Sequence, residues 1–209
     1  MLPDIPEALY QGSDLVLQIH YHPTGKPEKD QTRVALYFTE RKPARRLLDV
    51  ALGSTAIDIP PGDRAYVVTD HFNLPVDVDA LGVIPHAHYV CRQMKGWATL
   101  PDGTRRWLLR IDRWNFDWQD RYRYRTPIHL PAGTRVEMEF TYDNSEANPR
   151  NPHHPPERVR YGPGSSDEMA GLHLEVVPSD PADADELGQA LWGKMMRSLG
   201  GGILRQPLR

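Results

Sequence analysis

Along most of this chain apolar and polar residues alternate in short runs with a period of two, the pattern that sends successive side chains to opposite faces of a strand. Arg135 to Tyr142 (R-V-E-M-E-F-T-Y) is the cleanest case, and Arg121 to Arg125 alternates Arg with Tyr, predicting rings on one face and guanidinium groups on the other. Leu15 to His22 (L-V-L-Q-I-H-Y-H), stopped by Pro23, and Arg33 to Thr39 (R-V-A-L-Y-F-T) read as two further strands around a polar turn. Strand-like segments follow at Ala65–Phe72, Ala80–Tyr89 and Leu172–Val177. Trp97–Leu100 and Arg106–Ile111 flank Pro101-Asp102-Gly103, a hairpin signal, and Ile59-Pro60-Pro61-Gly62 marks a turn. Short strands punctuated this way predict an all-β, antiparallel, jelly-roll-like β-sandwich.

Two stretches break the pattern. Asn144 to Gly164, rich in Asn, Pro and His, predicts a long loop. Asp183 to Leu199 places Leu187, Ala190, Leu191, Met195 and Leu199 at helical spacing, with Gly200-Gly201-Gly202 as the stop, so a short amphipathic C-terminal helix is expected. Residues 1–13 read as a linker or entry loop, and no internal repeat is visible.

Composition narrows the function classes. Lys+Arg is 25 against 28 Asp+Glu, a net charge of -3, which argues against a nucleic-acid partner or an anionic membrane surface. No apolar run reaches the ~18 residues of a membrane span, and the first twenty residues lack a basic start followed by an apolar core, so a soluble chain without membrane insertion is expected. The single cysteine, Cys91, excludes an internal disulfide and a Cys-rich zinc site. Arg105 to Arg125 interleaves arginines with Trp107, Trp114, Phe116, Trp118, Tyr122 and Tyr124; its period of two predicts buried rings and solvated arginines balanced by Asp112, Asp117 and Asp120. Met94, Met138, Met195 and Met196 read as packing residues, and His71 and His129 as hydrogen-bonded structural histidines.

The specific chemistry lies in histidine. His20-Tyr21-His22 and His86-Ala87-His88 are both H-x-H in segments read as strands, and residues i and i+2 of a strand share one face. Two imidazoles so placed can converge on one metal at about 2.0 Å per nitrogen; hydrogen-bonded core or surface histidines are the alternative. Ser165-Ser166-Asp167-Glu168-Met169 precedes a strand directly. As a third ligand, the soft thioether of Met169 favours Cu(I) over zinc or magnesium; otherwise it fills a gap in the core.

S-S-D-E-M followed by a strand, H-x-H about eighty residues earlier and L-V-L-Q-I-H-Y near the start together resemble the copper type II, ascorbate-dependent monooxygenases, the peptidylglycine α-hydroxylating and dopamine β-type enzymes. The turn Ile59 to Asp63 falls where relatives have a similar turn, and the resemblance runs from about Leu15 to Val177. It implies that His86, His88 and Met169 hold the catalytic copper, where the family binds dioxygen. His20 matches one ligand of the second, electron-transferring copper, with Gln18 nearby. The other two ligands of that copper form an adjacent His-His pair earlier in the family's chains; here His153-His154 is adjacent but follows His20, inside a Pro/Asn loop, and reads as solvated.

The resemblance therefore implies a C-terminal, catalytic-copper half. Residues 1–29 would end in the last strand of a preceding domain, residues 30–179 would form the monooxygenase-like sandwich, and 180–209 the helix and tail. The family's reductant is ascorbate, its product a hydroxylated C–H bond, and its bacterial relatives point to a periplasmic or secreted protein with a preceding domain or redox partner. The substrate-carboxylate arginine of the peptide-hydroxylating relatives is Ile84 here, and their substrate-contacting tyrosine is His173, so a peptidylglycine substrate is not expected and the small-molecule substrate is open. A non-catalytic copper-binding or interaction module is the alternative.

Overall fold

The protein is described from a computed structural model covering residues 5, 9, 11–17, 19, 21, 24–40 and 44–203, with the backbone alone for 199–203. These fall into two compact units divided between Ala44 and Arg45.

The second unit is an antiparallel β-sandwich. β1 (Leu48–Gly53), β4 (Val78–His86), β7 (Tyr122–Leu130) and β10 (Gly171–Pro178) form one sheet in the order β1-β10-β4-β7. β3 (Tyr66–Asn73), β5 (Cys91–Thr99), β6 (Arg105–Ile111) and β8 (Arg135–Tyr142) form the other in the order β3-β8-β5-β6, and the short β2 (Asp58–Ile59) pairs with β9 (Val159–Arg160). Consecutive long strands alternate between the two sheets except at the β5–β6 hairpin, which is the jelly-roll path.

The alternation explains the core. Val50, Leu52, Val83, Leu172 and Leu174 from one sheet meet Met94, Met138, Phe140 and Tyr142 from the other, all fully or almost fully buried. Each such side chain contributes roughly 1.5–3 kcal/mol of transfer free energy. The sheets approach closely at Gly96, where a Cβ would lie 2.7 Å from Leu172 Cδ1, so a larger residue there forces Leu172 aside.

The loop 144–164 is ordered by buried asparagines rather than by apolar packing. Asn144 Nδ2 donates to the Glu157 carbonyl at 2.7 Å, Asn151 Nδ2 to Asn144 Oδ1 at 2.9 Å, and Asn148 Nδ2 to the Asp143 carbonyl at 2.7 Å. The Asn144 and Asn148 bonds satisfy backbone carbonyls that a loop otherwise leaves unpaired, and the Asn151 bond joins two of the side chains.

A 3₁₀ turn (Pro181–Asp183), capped by Asp180 Oδ1 accepting from the Ala182 N–H at 2.9 Å, leads into α1 (Ala184–Ile203). Leu187 is fully buried, and Asp185 and Glu186 suit the positive end of the helix dipole. The helix continues through Gly200–Gly202, where a stop was expected: none of these glycines takes the positive φ of a helix-ending cap, and glycine weakens a helix without forbidding it.

Other expectations are corrected. β1 (L-D-V-A-L-G) was missed, and its partner β10 lies more than a hundred residues on. Residues 33–39 form no strand, nor do the described residues of 15–22; Val34, Leu36, Tyr37 and Phe38 are exposed, and a strand requires a ladder partner that the described residues of this unit do not supply. Trp107 and Trp118 are exposed rather than core, and so are Met195 and Met196, while Met94, Met138 and Trp114 are buried. Among the described residues no helix is long and apolar enough to cross a membrane.

Candidate functional site

The outward face of the β1-β10-β4-β7 sheet carries unusually small residues. Cross-strand register aligns Gly53, Gly171 and His86 in one row and Ala51, His173 and Ile84 in the next. With little side chain on the floor and α1 along one side, the face opens into a cleft of about 1400 Å³ lined by His86, Met169, Ile84, His173, Trp192 and Met195 among others. Two predicted copper ligands and both residues standing where the resemblance places substrate contacts thus line one cavity.

His86 is the last residue of β4, and His88 lies beyond the strand, contrary to the expectation of an H-x-H within a strand. The β4–β10 ladder ends at the His86–Gly171 pair, and the chain then turns through Tyr89-Val90 into β5. The turn, not the pleat, brings the imidazoles together, with ring centroids 5.2 Å apart and planes at 85°. That spacing suits two nitrogens each about 2 Å from one ion.

Both rings are oriented through Nδ1. His86 Nδ1 lies 2.7 Å from Gln119 Oε1, and Gln119 Nε2 donates to the Phe116 carbonyl at 3.0 Å, so the amide turns its oxygen to the ring and Nδ1 carries the hydrogen. His88 Nδ1 donates to the Asp167 carbonyl at 3.1 Å. In each neutral ring the lone pair then sits on Nε2, the arrangement typical of metal-bound histidines. His88 is 4% exposed, its ring stands edge-on to Phe116 at 5.7 Å, and its carbonyl accepts from Trp114 Nε1 at 3.1 Å.

Glu168 is the residue that sequence reasoning overlooked, although it lies within the S-S-D-E-M motif. Its Oε1 accepts from the backbone N–H of both His88 and Met169, the latter at 2.8 Å, joining the two candidate ligand segments through one carboxylate. Burial pushes its pKa up to about 8, against the pull of the His88, Met169, Val90 and Cys91 amides toward the ionised form. The Val90 and Cys91 amides favour that form, yet Oε2 reaches no hydrogen bond of ordinary geometry. A Glu before a Met gives no periodic signal, so only the fold reveals that it faces inward. Tyr142 Oη fixes the same segment by donating to the Met169 carbonyl at 2.9 Å.

Around the floor, charges are paired. His173 Nδ1 meets Asp49 Oδ2 at 2.6 Å, and this hydrogen bond raises the imidazole pKa above its ordinary value despite partial burial. Arg121 binds Glu175 through two nitrogens, with Nε 2.7 Å from Oε2. Lys194 of α1 reaches Asp70 Oδ2 at 2.5 Å, an oxygen that also accepts from the Gly53 N–H at 2.9 Å.

The remaining candidates lie elsewhere. Gln18, His20 and His22 fall outside the described residues. His153 and His154 face Glu157 and Glu146 at 3.8 and 3.5 Å in their loop, and His129 Nδ1 lies 3.3 Å from Asp79. Burial raises the Cys91 thiol well above its ordinary value, which keeps it protonated and inert. Among the described residues no three side chains drawn from His, Cys, Asp and Glu gather to hold a metal; a His-His-Met set has a thioether as its third donor and stands outside that class. The donor set of His86, His88 and Met169 is chemically suited to copper.

No known family matches this chain, and no curated protein does. Among solved structures it is similar to a chain from the infectious bursal disease virus Gt strain, at 12% identity over 73% of this chain and 48% of that one, with a TM-score of 0.25. A chain from the Gx strain gives 11% identity over 73% and 47%, with a TM-score of 0.27. This chain spans about half the length of those viral chains.

Proposed function

We propose that this chain is the catalytic-copper module of a copper type II, ascorbate-dependent monooxygenase-like enzyme. The observation that carries the reading is the linkage of the three candidate ligands: His86 and Met169 line one cleft, and Glu168 ties the His88 and Met169 backbones together. Copper held by His86, His88 and Met169 would supply one-electron redox chemistry with dioxygen for hydroxylating a C–H bond, ascorbate being the reductant that the resemblance implies.

The chain's own residues do the rest. Gln119 and the Asp167 carbonyl hold the two imidazoles in the tautomer that places the lone pair on Nε2. Phe116 stands edge-on to the His88 ring, and Trp114 anchors the His88 carbonyl. Met169 is half-buried at the cleft wall, where a thioether stabilises a soft, reduced metal ion.

Met169→Ile tests the reading. The swap approximately conserves volume, so stability changes by under ~1.5 kcal/mol. Cu(I) affinity falls about tenfold or more and Cu(II) affinity falls less, because the imidazoles carry the oxidised ion. Titration of both copper states alongside thermal unfolding measures this, and equal Cu(I) affinity in the two proteins makes Met169 core filler and sinks the reading. Selective Cu(I) loss in a protein that never hydroxylates when supplied with a redox partner favours the non-catalytic copper-binding module.

A further inference from the structure

Most charged side chains lining the cleft are already held in ion pairs. Arg46 faces Asp185 at 3.5 Å, Lys194 faces Asp70 at 2.5 Å, His173 faces Asp49 at 2.6 Å, and Arg121 is doubly bonded to Glu175. The third carboxylate of the lining, Asp120, accepts from the Arg121 backbone N–H at 2.7 Å. Beyond these pairs, the described lining residues offer one exposed group of each sign, Asp120 and Arg197. A charged ligand entering here loses hydration without gaining an uncommitted partner of opposite charge on the floor.

The apolar part of the lining has the opposite character. Trp192 is 61% exposed and Met195 44% exposed, one helical turn apart on α1, and both line the cleft with Leu191. Opposite them the floor presents Ile84 and Ala51, and Gly53 and Gly171 carry no side chain. Two large apolar side chains left in water beside a floor of small residues leave unburied area that an apolar molecule would cover.

We propose that this cleft binds a small, uncharged molecule with an apolar body, lodged between α1 and the β1-β10-β4 floor. The inference deepens the copper reading by naming the substrate class, and rests on it only for what happens to the ligand; binding itself needs no metal. Charge pairing selects against ions, and Trp192 and Met195 supply the contact area.

Calorimetric titration of the metal-free full chain with octan-1-ol, octanoate and octylammonium at pH 7 tests it. Octan-1-ol binds about fivefold or more tightly than either ion, a difference of about 1 kcal/mol. Trp192→Ala, at an exposed position that leaves folding intact, weakens octan-1-ol about fivefold. Asp70→Asn leaves Lys194 an unpaired cation and shifts the octanoate-to-octanol preference about threefold toward the anion. Should Asp70→Asn not fold, Trp192→Ala and the three-ligand ranking decide alone. Equal or tighter binding of either ion to the wild type, no binding of octan-1-ol, or an unaltered affinity in Trp192→Ala overturns the proposal. Failure of Cu(I) binding with octan-1-ol binding intact removes the copper reading and leaves this one standing; the converse result removes this one alone.

Discussion

The two sheets of the sandwich both turn one face to solvent, yet their outer faces differ. On the β3-β8-β5-β6 sheet the outward positions hold long side chains that satisfy one another laterally. Trp97 Nε1 and Thr99 Oγ1 both donate to Glu137 Oε2, at 2.8 and 2.6 Å, Arg135 approaches the same carboxylate at 3.2 Å, and Lys95 pairs with Glu139 at 2.8 Å. Arg105 lies over the Trp97 ring at 4.5 Å. Such cross-strand pairs close a surface. On the β1-β10-β4-β7 sheet the corresponding rows contain Gly53, Ala51, Gly82 and Gly171, and the face becomes the floor of a cleft. Side-chain volume separates a closed face from one that opens into a cleft.

Each region is also organised by one glutamate, and the two can be set against each other. Glu168 is fully buried and holds backbone amides; Glu137 has 19% of its side chain exposed and holds other side chains. The largest expected effect is therefore Glu168→Ala, which strands the N–H groups of His88 and Met169 and leaves a cavity. It costs about 3 kcal/mol in urea unfolding and weakens copper binding, whereas a loss under about 1 kcal/mol would mean that the two segments hold their places without it.

Glu137→Ala sharpens the contrast from the other side. Water replaces its contacts with Trp97, Thr99 and Arg135, so the loss is about 1–2 kcal/mol, with copper affinity and octan-1-ol binding unchanged. A change in either binding constant would show that the closed face communicates with the cleft.

The smallest effect is electrostatic. Asp49 raises the His173 pKa above the ordinary 6.5, so the folded state holds its proton to higher pH than the unfolded chain does. The stability from this pair is fully present below pH 6.5 and is lost as pH rises through the raised folded value. In a pair this exposed it amounts to a few tenths of a kcal/mol. Wild type should exceed Asp49→Asn by that margin at pH 5.5 and not at pH 9, and an NMR titration should place the His173 midpoint lower in the variant. An unmoved midpoint would detach His173 from Asp49.

How far the molecule could be read from its residues follows from the same physics. Arg135–Tyr142 was assigned residue for residue because its alternation is unbroken and the sandwich accepts both faces of it. Residues 33–39 are as apolar as a strand and form none, while L-D-V-A-L-G does. Periodicity records which faces a strand would have, and the ladder decides whether it forms. At the site, His86, His88 and Met169 were singled out by residue type and spacing, but the strand geometry assumed for the H-x-H was wrong and Glu168 went unnoticed.

Local order along the chain by itself determined the all-β class, the β5–β6 hairpin, the C-terminal helix and the shortlist of His86, His88 and Met169, because turn chemistry, side-chain period and ligand softness are properties of neighbouring residues. Tertiary structure decided what joins residues distant in sequence: the pairing of β1 with β10, the carboxylate of Glu168 shared between His88 and Met169, and the row of small residues that opens the cleft beneath α1. These depend on register across strands some eighty to a hundred and twenty residues apart. A one-residue slip there would send every one of these side chains to the opposite face.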